Sequence, residues 1–256
     1  MEKQPLFIAF TNQKGGVGKS AITVLVASYF HYLKDKNVLV VDCDYPQHSI
    51  HGMRERDMDA VLKSESYKQL LMAQFERIDK KAWPIIKVEA AEAKQAADDY
   101  VKKSKQKFDL VLFDLPGTVS TEGVLTTLFN MDYVMIPIIS DRMVMKSSLV
   151  FATSLQNYLD NHSDVPLKEV WLFWNRIQAR SSKEVFEQYN GILAELKIKV
   201  FSTTLPDSPK YGRELSNSGG HGKPFFRSTV HPPVPSMLTG SRLEEFAQEL
   251  AKIIKL

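Results

Sequence analysis

The chain has 256 residues, 44% hydrophobic and 25% charged, with 33 Lys plus Arg against 30 Asp plus Glu for a net charge of +3. That balance excludes a disordered or fibrous chain, and area scaling lets a globule of this length bury roughly three quarters of its unfolded surface. The positive excess is too small to announce a nucleic-acid binder, the apolar runs are too short to span a bilayer, and one cysteine cannot make an internal disulfide.

From the N-terminus, Met1-Glu2-Lys3-Gln4-Pro5 enters a short apolar run with no small-residue cleavage site. No signal peptide is expected there, and the lone Cys43 fits a cytoplasmic protein. Apolar runs then alternate with helical stretches. A strand at 6–11 leads to a helix at 19–34, and a strand at 38–42 to a helix at 66–79. Strands at 85–88, 109–114, 132–138, 170–175 and 200–203 are followed by helices at 90–106, 120–130, 143–160, 182–196 and 208–217. Residues 216–236 carry Pro224, Pro232, Pro233 and Pro235 and read as loop. The last helix, 242–255, sets Leu243, Phe246, Leu250, Ile253 and Ile254 on one face. Most strands are continuously apolar, as parallel strands covered on both faces are. The expected fold is α/β: a mostly parallel central sheet with helices on both faces, joined by right-handed crossovers. No linker or repeat interrupts the pattern, so residues 1–256 read as one domain.

The chemistry concentrates after the first strand, in Thr11-Asn12-Gln13-Lys14-Gly15-Gly16-Val17-Gly18-Lys19-Ser20. The standard phosphate-loop pattern wants glycine where Gln13 stands, so it is not met. What remains still suits a phosphate cradle. Glycines let backbone N–H groups approach an anion, and the N-terminus of the following helix adds positive potential. Lys19 would reach the β- and γ-phosphates, and the Ser20 hydroxyl would ligate Mg²⁺.

Asn-Gln-Lys-Gly-Gly-Val-Gly-Lys-Ser resembles the deviant Walker A motif of the ParA/MinD/Soj family of partitioning and positioning ATPases. The resemblance implies a P-loop NTPase fold with ATP and Mg²⁺ as cofactors. It also implies that Lys14 crosses a dimer interface to the phosphates of the partner's ATP, where a second cation offsets charge on the transferring group. Gly15, Gly16, Val17, Gly18, Lys19, Ser20 and Ala21 would form the cradle. Val38-Leu39-Val40-Val41-Asp42-Cys43-Asp44 resembles the family's second nucleotide motif, with Asp44 orienting the attacking water and Asp42 supporting the Mg²⁺ shell. Phe108-Asp109-Leu110-Val111-Leu112-Phe113-Asp114-Leu115-Pro116-Gly117 resembles the Walker B strand, where Asp114 would hold a Mg²⁺-bound water.

Two later segments are similar to the family's adenine pocket. Asn175, with Arg176, stands where the matching Asn contacts the base edge, and Thr204-Leu205-Pro206-Asp207-Ser208 matches the loop whose backbone closes over adenine. Three positions depart from the family pattern. Ala21 stands where a second hydroxyl residue is usual, Tyr45 separates Asp44 from Pro46-Gln47, and Asp114-Leu115-Pro116-Gly117 replaces a Pro-Pro pair.

Other signals read more plainly. His48 and His51 alone are too few ligands for a metal site. Gly219-Gly220-His221-Gly222-Lys223 lacks both a preceding strand and a following hydroxyl, and reads as a loop. The basic run 102–107 complements a helix C-terminus. The last helix balances Arg242, Lys252 and Lys255 against Glu244, Glu245 and Glu249, whereas a membrane-surface helix would be more basic, so no membrane partner is expected.

The expected function is an ATP-dependent dimerisation switch of DNA partitioning. By resemblance, it is a homodimer with ATP, binds non-specific DNA, and is stimulated by a ParB-like activator. Arg180, Lys183, Arg227 and Arg242 are the weak candidates for a DNA surface. A MinD-like positioning ATPase is one alternative, and the charge-balanced last helix speaks against it. An ATP-dependent biosynthetic ligase of related fold is another, and Lys14 speaks against that.

Overall fold

The computed structural model describes residues 4–117, 122–178, 183–216 and 224–256. Among these, seven strands form one sheet: β1 (Leu6–Phe10), β2 (Val38–Asp42), β3 (Ile85–Lys87), β4 (Leu110–Asp114), β5 (Tyr133–Ile138), β6 (Glu169–Trp174) and β7 (Lys199–Val200). Their order is β3-β2-β4-β1-β5-β6-β7, and every pairing is parallel.

The central strands are apolar up to the aspartates that end β2 and β4, as strands buried on both faces are. On one face Ile8, Phe10, Val38, Val40, Leu110, Leu112 and Met135 pack against α1 (Lys19–Ser28) and α9 (Leu243–Ile254). On the other, Ala9, Leu39, Val41, Val111, Phe113, Val134 and Ile136 meet α4 (Ala93–Lys103), α5 (Glu122–Phe129) and α6 (Arg142–Asn161). The 20-residue α6 is capped by Asp141, whose carboxylate accepts from the backbone N–H groups of Met143 and Val144 at 3.0 and 2.9 Å. The apolar face of α9 is used up by this core. Leu243, Phe246 and Leu250 are fully buried, and Phe246 stacks on Phe201 at 4.9 Å, each such side chain contributing about 2 kcal/mol of burial. Among the described residues no helix is long and apolar enough to cross a membrane.

The expected strands all form, within a residue or so at most ends, but several helices differ. The expected helix 19–34 is α-helical only to Ser28 and then widens into a π turn at Tyr29–Leu33. Residues 90–106 start as a 3₁₀ turn, Ala90–Glu92, before α4. The expected helix 208–217 is only a 3₁₀ turn, Pro209–Gly212, following a loop that pairs with residue 177. Ile177 N–H donates to Leu205 O at 3.0 Å and Asp207 N–H to Ile177 O at 2.8 Å. A helix absent from the sequence reading, α2 (Ser49–Lys63), precedes α3 (Glu65–Ile78), and α8 (Pro235–Leu238) starts in the last two residues of the expected loop. The start of α7 (Lys183–Glu195) falls at the edge of the described residues. Residues 120, 121, 182 and 217 of the expected helices, Arg180, the Lys183 side chain and the Gly219–Lys223 run lie outside them.

The chain leaves β1 toward β2 on one side, while β5 lies on the other. The C-terminal end of β1 is therefore where the connections diverge, the crevice in which open α/β sheets bind ligands.

Candidate functional site

The loop between β1 and α1 occupies that crevice. Its start is fixed by buried Asn12, whose amide donates to Pro137 O at 2.6 Å and to Ser148 Oγ at 2.7 Å, while its Oδ1 accepts from Lys14 N–H at 3.0 Å. Gly16 and Gly18 have φ of 75° and 93°, a region only glycine enters cheaply. A Cβ on Gly18 would also lie 2.5 Å from Asn175 Nδ2. Gly18 starts α1 without any side-chain cap, so the first N–H groups of the helix remain open to an anion. Lys19 is buried to 9% exposure, with Nζ next to Gly117, and Ser20 is half-buried beside it. Lys14 is exposed, and among the described residues its ammonium has no ion-pair partner in its own subunit.

Strand register sets the acids. Asp42 and Asp114 are paired residues at the ends of neighbouring β2 and β4, and Phe10, just before the loop, pairs with Asp114 on the other side. Both carboxyls are fully buried. Asp42 Oδ2 accepts from His51 N–H at 2.8 Å, and His48 Nδ1 lies 3.2 Å from Asp42 O, so both histidines are engaged with Asp42. Asp42 Oδ1 and both oxygens of Asp114 have no hydrogen-bond partner. Burial pushes the Asp114 pKa up to about 7; the charges of Asp42 and Asp44 push the same way, while neighbouring Ser20 and Lys19 pull it down. The Ser20 hydroxyl is close by without a well-formed bond to either oxygen. Burial likewise raises Asp42, against the opposing pull of the His51 N–H. Asp44 is half-buried where the strand opens into the cleft.

Unpartnered buried carboxylate oxygens are costly. Here they converge near a serine hydroxyl, which suits a hydrated divalent cation. Among the described residues no group of three or more His, Cys, Asp or Glu could hold a metal unaided. Two carboxyls beside a hydroxyl fit Mg²⁺, an ion that keeps several waters in its shell.

Two adjoining clefts meet over the loop. One, of about 590 Å³, is lined by Ala21, Ile22, Asn175, Arg176, Pro206, Asp207 and Tyr211, together with Gly16, Gly18 and Arg227. The other, of about 730 Å³, holds Gln13, Gly15, Lys19, Ser20, Asp44, Tyr45, Pro116 and Gly117. The walls of the first are tied to the loop. Arg176, at φ 53°, donates to Gly16 O at 3.0 Å and pairs with Asp207 at 3.5 Å. Asn175, also in that lining, donates one amide N–H to Val17 O at 2.8 Å and so braces the loop. Val17 itself is fully buried.

The structure thus gathers Lys19, Ser20, Ala21, Asp42, Asp44, Asp114, Asn175, Arg176, Pro206 and Asp207 around one crevice, with Lys14 exposed between Gln13 and Gly15 of its lining. It corrects one expectation: Arg227, read as a DNA-surface candidate, instead lines both clefts and is paired with Glu214 at 2.5 Å. Arg242 stays exposed, donating to Thr204 Oγ1 at 2.9 Å. Glu214, Arg56 and Tyr211 also line the crevice and carry no motif that would have flagged them.

A family model described as AAA domain matches residues 6–161. No curated protein matches the sequence significantly. Similar solved structures include a plasmid partition protein of Borrelia burgdorferi B31 bound to AMPPNP, 17% identical with 99% of both chains covered and a TM-score of 0.59. Another is pNOB8 ParA bound to nonspecific DNA, 17% identical over 98% of this chain and 99% of that one, with a TM-score of 0.60. A third is the MinD cell division protein of Aquifex aeolicus, 16% identical over 98% of both chains, with a TM-score of 0.59. At these identities the likeness speaks to the fold.

Proposed function

The chain belongs to the AAA-domain family, and from that premise we propose that it is an ATP-dependent dimerising ATPase of DNA partitioning, of the ParA and MinD type. The observation that carries the proposal is the set of unpartnered carboxyl oxygens on Asp42 and Asp114 beside Ser20, at the mouth of a glycine loop. ATP would lie through both clefts, its base against Pro206 and Asp207 and its phosphates over Gly15, Gly16 and Gly18. Lys19 would hold the β- and γ-phosphates from within its own subunit. Asp44 would orient the attacking water, and Lys14 would reach the partner's nucleotide once two subunits close. Ser20, with Asp42 and Asp114 through water, would hold Mg²⁺, which supplies charge neutralisation to the phosphates when bound.

Two expectations follow for DNA and an activator. The ATP-bound form, trapped as Asp44→Ala, is expected to retain duplex DNA without sequence preference. Its affinity should fall linearly with log salt as counterions are released. With a net charge of only +3, the required lysines and arginines must sit together on one face of the dimer. A filter-retention series from low to high salt measures this, and equal, negligible retention with ATP and without nucleotide would contradict it. The second expectation is slow intrinsic turnover that a partner protein accelerates. ATP turnover with Mg²⁺, with and without DNA, tests the proposal as a whole, and no hydrolysis above the Lys19→Ala background would sink it.

A further inference from the structure

Arg227 stands at the seam of the two clefts. Gly16, Gly18, Ala21 and Arg227 line both, and of these four only Arg227 carries a side-chain donor. One terminal nitrogen of its guanidinium donates to Glu214 Oε1, and its Nε is buried with no hydrogen-bond partner. About 20% of the Arg227 side chain stays exposed, at a position that lines both clefts.

The backbone around Arg227 is built to present it. Arg227 N–H and Phe226 N–H both donate to Arg213 O, at 3.0 and 2.9 Å. On the other side, buried Asp57 of α2 accepts from Ser228 Oγ at 3.2 Å, Thr229 N–H at 2.6 Å and Thr229 Oγ1 at 2.7 Å. Arg54 of the same helix donates to Thr229 Oγ1 at 2.9 Å and to Thr229 O at 3.0 Å. Glu214 is shared with Arg56, 3.5 Å away, which also faces the larger cleft. Arg227 is thus held in place by neighbours on both sides, unlike a free surface cation.

We infer that Arg227 binds the α-phosphate of the nucleotide, across the cleft from Ala21. The assignment rests on the nucleotide-binding reading above and deepens it. A nucleotide whose base lies beside Ile22 and Pro206, and whose terminal phosphates lie beside Lys19 and Ser20, brings its first phosphate to the seam. There Ala21 offers only backbone, while a guanidinium fork suits phosphate oxygens geometrically and electrostatically.

Calorimetric titration of wild type, Arg227→Gln and Arg227→Lys with ATP, ADP, AMP and adenosine tests it. Arg227→Gln is expected to weaken the three phosphorylated ligands by one common factor, about 10- to 100-fold, and to leave adenosine unchanged. Arg227→Lys keeps a cation against Glu214 and should give a smaller loss with the same pattern; it carries the test if the Gln variant fails to fold. A loss larger for ATP than for AMP, or an equal loss for adenosine, overturns the assignment. So does wild-type binding matched by Arg227→Gln. A wild type that binds none of the four removes the ATPase reading and this assignment with it.

Discussion

Lys14→Ala and Lys19→Ala are expected to fail in different ways. Lys19 is buried inside its own subunit's cradle, with Nζ beside Gly117, so its removal should cut ATP affinity and everything downstream. Lys14 is exposed, its backbone N–H donates to Asn12, and among the described residues its ammonium has no ion-pair partner. A cation offered to a second subunit contributes only after the two close. Loss of Lys14 should therefore leave most monomer nucleotide binding intact while abolishing dimerisation. Turnover should fall by at least about 10²-fold, as when other charges aimed at a transferring group are deleted. Nucleotide titration paired with turnover on both variants decides this. If Lys14→Ala lost ATP affinity as fully as Lys19→Ala, Lys14 would be an ordinary ligand within its own subunit.

Asp114→Asn should make the nucleotide-free protein more stable and the enzyme inactive. Burial raises the Asp114 pKa from its ordinary 3.8 to about 7, so the folded state favours the neutral acid. For an acid shifted upward, the sign is a loss of stability as pH rises. The contribution is fully present below about pH 4, declines as pH climbs toward 7, and is gone above it. A gap of about three pH units corresponds to an upper figure of ~4 kcal/mol. Asparagine keeps the shape without the charge. Denaturant unfolding without nucleotide should therefore find Asp114→Asn close to wild type near pH 4 and more stable by a few kcal/mol at pH 8. The same variant should lose the stabilisation that Mg²⁺ and ATP give wild type. A variant less stable than wild type at pH 8 would show that the carboxylate is satisfied in a way its unpartnered oxygens do not reveal.

The site was legible where its residues are contiguous. The glycine loop, Asp42, Asp44 and Asp114 each sit at the end of a strand whose unbroken apolar run announces double burial, and sheet register brings them together. The helix α2 was not legible because its buried stripe is Ile50, Met53, Asp57, Ala60 and Val61. A charged residue at the centre of that stripe, with Gly52 before it, hides the period that apolar spacing would show. Asp57 is buried because Ser228 and Thr229 satisfy it from 171 and 172 residues away, a partnership no local pattern encodes. Arg227 and Glu214 were hidden for the same reason: they reach the crevice from an irregular segment. The expected helix at 208–217 carries Pro209, Gly212 and Ser216, weak helix formers, and Pro209 opens only a single 3₁₀ turn. The pairing of residues 177 and 205–207 competes for the backbone beside it.

The most direct measurement of the central claim is light scattering of Asp44→Ala with Mg²⁺ and either ATP or ADP. Asp44 faces the cleft, half-buried, and its removal should stop hydrolysis without disturbing the loop that holds the nucleotide. With saturating ATP the account predicts a persistent particle of twice the 29.1 kDa chain mass, and with ADP a monomer. A monomer at micromolar protein with saturating ATP would contradict it.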